Sequence, residues 1–223
     1  MTDNPDVDTS AVSQAPPLAS AIRLYAKTPR TRVLGPFLRF ALWVQGCPFR
    51  CPGCMTPASQ PLIGGAPFPI AALVDEILAS PDIEGLTLSG GEPFAQAAGL
   101  HRLVRRVRAR RDLGVIVYSG YRLATLRQLA RNDQAVAGLL AQTDLLIDGP
   151  YVQARDDGAP LRGSTNQRVL PLTARYQGSL DCYAARQPRG VELHVESDGL
   201  MLVGIPSHRQ LAWWQARQAL HQA

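Results

Sequence analysis

With 223 residues, 46% of them hydrophobic, the chain can bury one full core, and its composition excludes disorder throughout. The formal charge of +5 is mild and almost wholly arginine, Lys27 being the only lysine. No basic stripe interleaved with aromatics marks a nucleic-acid surface, and no apolar run is long enough to span a bilayer.

Residues 1–19 are acidic and polar, with Pro16-Pro17 and no periodicity, which predicts a disordered extension ahead of a single domain over 20–223. They lack the basic start and apolar core of an export signal, so the expected location is the cytoplasm, where thiols stay reduced. A short strand is expected at 22–25. A second, 38–44, follows the Gly35-Pro36 turn and leads into a cysteine-rich loop. The Gly/Pro-rich stretch 60–69 reads as loop, and 70–78 places apolar residues at i, i+3, i+4, i+7 and i+8 of an amphipathic helix.

A buried strand at 85–89 ends on Gly90-Gly91. Leu100, Leu103, Val104 and Val107 form the inner stripe of the next helix, with Arg105, Arg106, Arg108 and Arg110 on a solvated face. Then come a strand at 115–118, helical segments over 123–140 and a strand at 144–148. Residues 152–189 show little periodicity. The alternation at 191–196, turned by Ser197-Asp198-Gly199 into 200–203, predicts a β-hairpin with His194 on its solvated polar side. A last helix begins near Ser207, an N-cap after Pro206. Its adjacent Trp213 and Trp214 are about 100° apart and cannot both face one core, which leaves two readings: one of them docks a partner, or the helix is simply packed.

Strands alternating with helices at this pitch imply parallel pairing through right-handed crossovers. The fold class is α/β: an open partial (β/α) barrel of parallel strands, with a C-terminal β-hairpin and helix. In such sheets ligands sit at the C-terminal strand ends. One face would therefore gather the cysteine loop, Gly90-Gly91, Ser119-Gly120 and Asp148.

The chemistry centres on Cys47-Pro48-Phe49-Arg50-Cys51-Pro52-Gly53-Cys54. Three soft thiolates spaced C-x3-C-x2-C suit one metal centre, and a 4Fe-4S cube held by Cys47, Cys51 and Cys54 keeps one iron open. A structural zinc site is the alternative. It requires a fourth ligand close in sequence, whereas the nearest histidine is His101 and the remaining cysteine is Cys182. In Ser89-Gly90-Gly91-Glu92-Pro93 the glycines let backbone carbonyls approach a cationic ligand, and Glu92 adds negative charge.

The cysteine triad with Gly90-Gly91-Glu92 resembles the radical S-adenosylmethionine superfamily. Five further stretches narrow that resemblance: Trp43 to Cys54, Tyr118-Ser-Gly-Tyr121, Asp144 to Pro150, Arg162-Gly-Ser-Thr-Asn-Gln-Arg168 and Gly204-Ile-Pro206. Together they look like the activating proteins of anaerobic ribonucleotide reductase. The resemblance implies two cofactors, a 4Fe-4S cluster on the three cysteines and S-adenosylmethionine. Gly53 and Met55 would line the adenine side, Cys54 would contact the cofactor as well as the cluster, Gly90, Gly91 and Glu92 would hold the amino acid end, and Ser119 and Asp148 would make ribose or cation contacts. It further implies reductive cleavage of S-adenosylmethionine to a 5′-deoxyadenosyl radical. That radical would take a glycine hydrogen from a glycyl radical enzyme, the anaerobic ribonucleotide reductase, with an electron donor such as flavodoxin or ferredoxin. Competing readings are a radical maturase or small-molecule enzyme, and a zinc-stabilised regulatory or nucleic-acid-binding protein. Pro150 departs from the family pattern, which often has a basic residue there.

Overall fold

The computed structural model describes residues 20–186, 189–196 and 199–220, with side chains left undescribed at 182–186, 196 and 218–220. The extension expected over 1–19 and the turn expected at Ser197-Asp198 lie outside the described residues. Four parallel strands form the centre of a seven-stranded sheet: β2 (Arg39–Val44), β4 (Gly85–Gly90), β5 (Gly114–Ser119) and β6 (Leu145–Asp148). Antiparallel strands flank them, β1 (Ala21–Thr31) and β3 (Ala66–Pro69) on one side and β7 (Arg168–Pro171) on the other. The order is β3-β1-β2-β4-β5-β6-β7, and a separate two-stranded sheet pairs β8 (Val191–Glu196) with β9 (Gly199–Gly204).

The central strands are apolar on both faces because both are covered. Phe40, Leu42, Val44, Leu86, Leu88, Val115, Val117 and Leu146 face the crossover helices α1 (Ile70–Ala79), α2 (Ala97–Arg108) and α4 (Gln134–Ala141). The alternate residues Ala41 and Trp43 pack against Val203 and Ile205 of the hairpin and its exit. Ile116, Leu145 and Ile147 pack against Leu161 and Tyr176. Each fully buried aliphatic or aromatic side chain here is worth about 1.5–3 kcal/mol of burial. The short helix α3 (Leu123–Leu129) starts on Asp148, whose carboxylate accepts from the Leu123 N–H at 2.7 Å.

At the N-terminal strand ends, the wholly buried Arg39 donates to Thr87 Oγ1 (2.8 Å), Glu84 Oε2 (2.8 Å), Tyr176 Oη (2.9 Å) and three backbone carbonyls. A buried cation is tolerable only when every donor is satisfied in this way. The network leaves the opposite, C-terminal strand ends free for a site.

Several elements differ from the sequence reading. The first strand runs to Thr31, through register shifts at Leu24/Ala26 and Thr28/Thr31. Residues 66–69, loop by composition, form β3; Pro67 and Pro69 are tolerated because β3 is an edge strand. The aperiodic stretch 152–189 contains β7 and α5 (Gln177–Arg186), too short and too weakly patterned to declare themselves. The hairpin forms as expected, but His194 is not on a solvated side. Its Nδ1 lies 2.9 Å from Thr28 Oγ1 on β1, and its Nε2 lies 2.9 Å from Glu192 Oε2. The last helix, α6 (His208–Leu220), has the expected cap: Ser207 Oγ accepts from the Gln210 N–H (3.3 Å), and Gln210 Oε1 accepts from the Ser207 N–H (2.9 Å).

Candidate active site

An open cleft lies across the C-terminal ends of β2, β4, β5 and β6. Cys47, Cys51 and Cys54 all line it, each half-buried with a free thiol. Their loop is held at its base by Gly46 N–H to Ser59 O (2.8 Å) and Cys47 N–H to Gln60 O (3.0 Å). Phe49 packs edge-on against Tyr121 at 4.8 Å and occupies the space above Gly120, where a Cβ would meet its Cδ2 at 2.5 Å. That contact clamps the cysteine loop to the end of β5.

Gly90 and Gly91 line the same cleft, and both positions require glycine. Gly90 has φ +98°, and a Cβ there would stand 2.5 Å from Val44 N. At Gly91 a Cβ would overlap the Gly46 carbonyl, with the carbonyl carbon at 2.7 Å. This close approach is sealed by Gly91 N–H to Val44 O (2.7 Å) and Glu92 N–H to Gly46 O (2.9 Å). The diglycine turn is thus tied to the residue that precedes Cys47.

Glu92 is wholly buried. Its Oε1 accepts from Phe94 N–H (3.0 Å) and Ser119 Oγ (2.9 Å), and its Oε2 accepts from Gly120 N–H (2.8 Å). Burial pushes its carboxyl up to about 7, against the opposing pull of these three donors. Burial likewise pushes the Cys47 thiol up to about 11, and it raises Cys51 against a counteracting hydrogen bond from the Tyr151 backbone.

Of the residues singled out from sequence, the cleft brings together Cys47, Cys51, Cys54, Met55, Gly90, Gly91, Glu92 and Ser119. Gly53 and Asp148 are not among its lining. Gly53 has φ +70° and sits under Gln153, whose Oε1 would be 2.5 Å from a Cβ. Asp148 is wholly buried: Arg168 Nε donates to Oδ1 at 2.9 Å, a second Arg168 nitrogen reaches Oδ2, and Arg122 stands at 3.5 Å. Burial alone would raise the Asp148 carboxyl, but the Arg168 fork, the Leu123 N–H and Arg122 outweigh it and hold the group low.

Sequence reasoning missed Tyr151, Gly163 and Gln167, which close the side of the cleft over β6. Gln167 Oε1 accepts from Gly163 N–H (2.8 Å) and its Nε2 donates to Gly149 O (2.9 Å). In sequence the run Arg162 to Arg168 is a motif without a role. Its role in the fold is to bend the chain back over β6.

Three thiols on one loop, a glycine turn touching that loop and a buried carboxylate make a chelating cradle with room beside it. Among the described residues no three His, Cys, Asp or Glu side chains come together as a single-ion site. A tetrahedral zinc with Zn–S of about 2.3 Å needs its sulfurs roughly 4 Å apart. A cubane instead takes each thiolate at a different corner, so three cysteines without a fourth ligand nearby suit it better than a closed structural zinc site.

Residues 33–170 match the family described as "4Fe-4S single cluster domain". An anaerobic ribonucleoside-triphosphate reductase-activating protein of Vibrio cholerae is 34% identical over 152 residues, covering 63% of this chain and 92% of the relative. Proteins of the same name from Salmonella typhi (33%, 68% of this chain and 99% of the relative) and Enterobacteria phage T4 (30%, 63% and 88%) also match. The chain belongs to the anaerobic ribonucleoside-triphosphate reductase-activating protein family. The matched 4Fe-4S domain contains the three cysteines, the diglycine turn and the segment through Gln167. The hairpin β8–β9 and α6 lie beyond it. No helix among the described residues is long and apolar enough to cross a membrane.

Proposed function

We propose that the protein activates an anaerobic ribonucleotide reductase by radical chemistry in this cleft. The observation that carries the reading is the shared lining of one cleft by Cys47, Cys51, Cys54, Gly90, Gly91 and Glu92. The donor set fits the implied groups. Three free thiols supply three corners of a 4Fe-4S cube, and the glycine cradle leaves backbone where side chains would fill the space.

Held by Cys47, Cys51 and Cys54, a 4Fe-4S cluster would supply the single electron that cleaves S-adenosylmethionine to methionine and a 5′-deoxyadenosyl radical, the species that would take a hydrogen atom from a reductase glycine. The chain's own residues position this event. Cys47, Cys51 and Cys54 would hold the cluster at three corners and leave the fourth open for the cofactor. Gly90 and Gly91 present backbone to its α-ammonium group. Glu92 keeps the ends of β4 and β5 in register through Ser119 and Gly120, and it places negative charge near that cation. Met55 and Ser119 line the same cleft and would serve the adenine and the ribose respectively. Cys54 and Gly53 shape the same end, Gly53 by admitting Gln153 close to the loop. Asp148 acts at one remove, fixing Arg168, Arg122 and the start of α3 at the rim. In this reading the sheet curls as an open partial barrel around the cleft, the electron comes from a donor such as flavodoxin or ferredoxin, and the protein works in the cytoplasm.

The test is anaerobic reconstitution with iron and sulfide, followed by dithionite and S-adenosylmethionine. The wild type should bind about four irons and release 5′-deoxyadenosine and methionine in equal amounts. Cys51→Ala should lose both cluster and cleavage, while Cys182→Ala should keep its iron. A colourless, zinc-loaded wild type that forms no 5′-deoxyadenosine would refute the proposal.

A further inference from the structure

The first strand of the C-terminal hairpin, β8, is amphipathic in the reverse of the usual sense. Successive strand residues face opposite sides, and the buried side is normally the apolar one. On β8 it is Glu192 and His194 that turn toward β1. Glu192 Oε1 accepts from the Arg32 N–H at 2.9 Å, and His194 bonds Thr28 Oγ1 and Glu192. Opposite them, Met201 and Val203 of β9 pack toward Trp43 and Ala41. The other face carries the cross-strand pairs Leu193–Leu202 and Val195–Leu200. It is left to solvent: Leu193 is 51%, Val195 85% and Leu200 53% exposed.

A one-residue slip of β8 would bury Leu193 and Val195 and expose Glu192 and His194. The bonds from the Arg32 N–H to Glu192 and between Thr28 and His194 hold β8 against that slip, so the outward apolar face is built in. A continuous exposed aliphatic face on a small sheet marks an interaction surface. A groove beside it, lined by Leu200, Leu202, Leu211 and Trp214, runs to Trp43, Met55, Thr56 and Gly204. Those last four residues also line the cleft that holds the cysteines.

We infer that the outward face of β8–β9 is where the reductase docks. This rests on the proposed reaction, which requires a glycine carried by a protein to reach that cleft. A protein seated on this face is led by the groove to the cleft, whereas a second copy of the chain there would stand over an approach that must stay open. The face offers the aliphatic centre of a standard interface of about 1,600 Å², the remainder coming from the cleft rim. It also gives Trp214, half-buried in the groove, a place in docking, while Trp213 projects from α6 under the Arg217 guanidinium.

The test uses the reconstituted holoenzyme with the reductase and two single variants, Val195→Asp and Leu200→Asp, on opposite strands. Both side chains are already largely exposed, so folding has little to lose, and thermal unfolding checks this. The expected result is at least a tenfold weaker affinity for the reductase and a matching fall in glycyl radical yield. Reductase-free cleavage of S-adenosylmethionine should stay within twofold of wild type. Unchanged reductase affinity in both variants would overturn the inference. So would a change confined to self-association, seen by light scattering, since a second copy would then be the occupant. A wild type unable to cleave S-adenosylmethionine would overturn the reading of the cleft, and the docking inference with it.

Discussion

Replacing Gly91 by alanine puts a methyl group where the backbone of another strand end already sits. Its Cβ would overlap the Gly46 carbonyl oxygen, with the carbonyl carbon at 2.7 Å and Ser59 O at 3.0 Å. None of these is the far end of a flexible side chain, so the two loops must separate. Separation breaks Gly91 N–H to Val44 O and Glu92 N–H to Gly46 O, each about 1 kcal/mol net, and overpacking adds about 1–3 kcal/mol. Gly91→Ala should therefore cost about 3–5 kcal/mol in stability. Because Gly46 immediately precedes Cys47, the shift also displaces the first thiol. Urea unfolding of the cluster-free chain, with iron content and S-adenosylmethionine binding measured after reconstitution, reads both effects. Gly178→Ala is the control: it lies in α5, where an added methyl group would meet nothing within 4 Å, and it should be neutral or stabilising by up to about 1 kcal/mol. If Gly91→Ala unfolds like Gly178→Ala and binds the cofactor within threefold of wild type, the tie between the diglycine turn and the cysteine loop is not what shapes the site.

Other consequences follow from the same geometry. Tyr176→Phe removes the hydroxyl that donates to Glu84 Oε2 (2.6 Å) and accepts from Arg39. It should cost about 1–3 kcal/mol, several degrees in Tm, while cofactor affinity stays constant because the network is at the other end of the strands. A fall in affinity would mean the two ends are coupled. Glu92, raised to about 7 from 4.5, is stabilising in its protonated form. That contribution is fully present below pH 4.5 and is lost as pH rises through 7, a decline of about 3 kcal/mol at most. Glu92→Gln should flatten that part of the stability–pH curve, and an unchanged slope would assign it elsewhere. A cationic cofactor arriving beside Glu92 should lower its pKa, so binding near pH 7 should release protons. Calorimetry in buffers of different ionisation enthalpy would show this; proton uptake would contradict it.

The parts of the fold legible in sequence are those set by local chemistry. The strands β2, β4, β5 and β6 read as apolar runs because both their faces are covered, and the cysteines need only their spacing. What escapes depends on distant partners. Pro67 and Pro69 look like loop residues because nothing local says that β3 pairs only along one edge. His194 looks solvated because alternation shows which residues share a face but not which face is buried; Thr28 and the Arg32 N–H decide that. Asp148 sits at the expected strand end, yet Arg168 and Arg122, both remote in sequence, draw its carboxylate out of the cleft lining. Glu92 shows only its charge in the sequence, whereas the fold also uses it to join β4 to β5.

Radical chemistry at the cysteine cleft is tested most directly by the electron paramagnetic resonance spectrum of the reduced, reconstituted protein, recorded before and after S-adenosylmethionine and then with the reductase. A reduced 4Fe-4S signal that changes on cofactor addition, followed by a glycyl radical doublet on the reductase, is the predicted outcome. A cluster signal indifferent to S-adenosylmethionine, with no radical on the reductase, would contradict it.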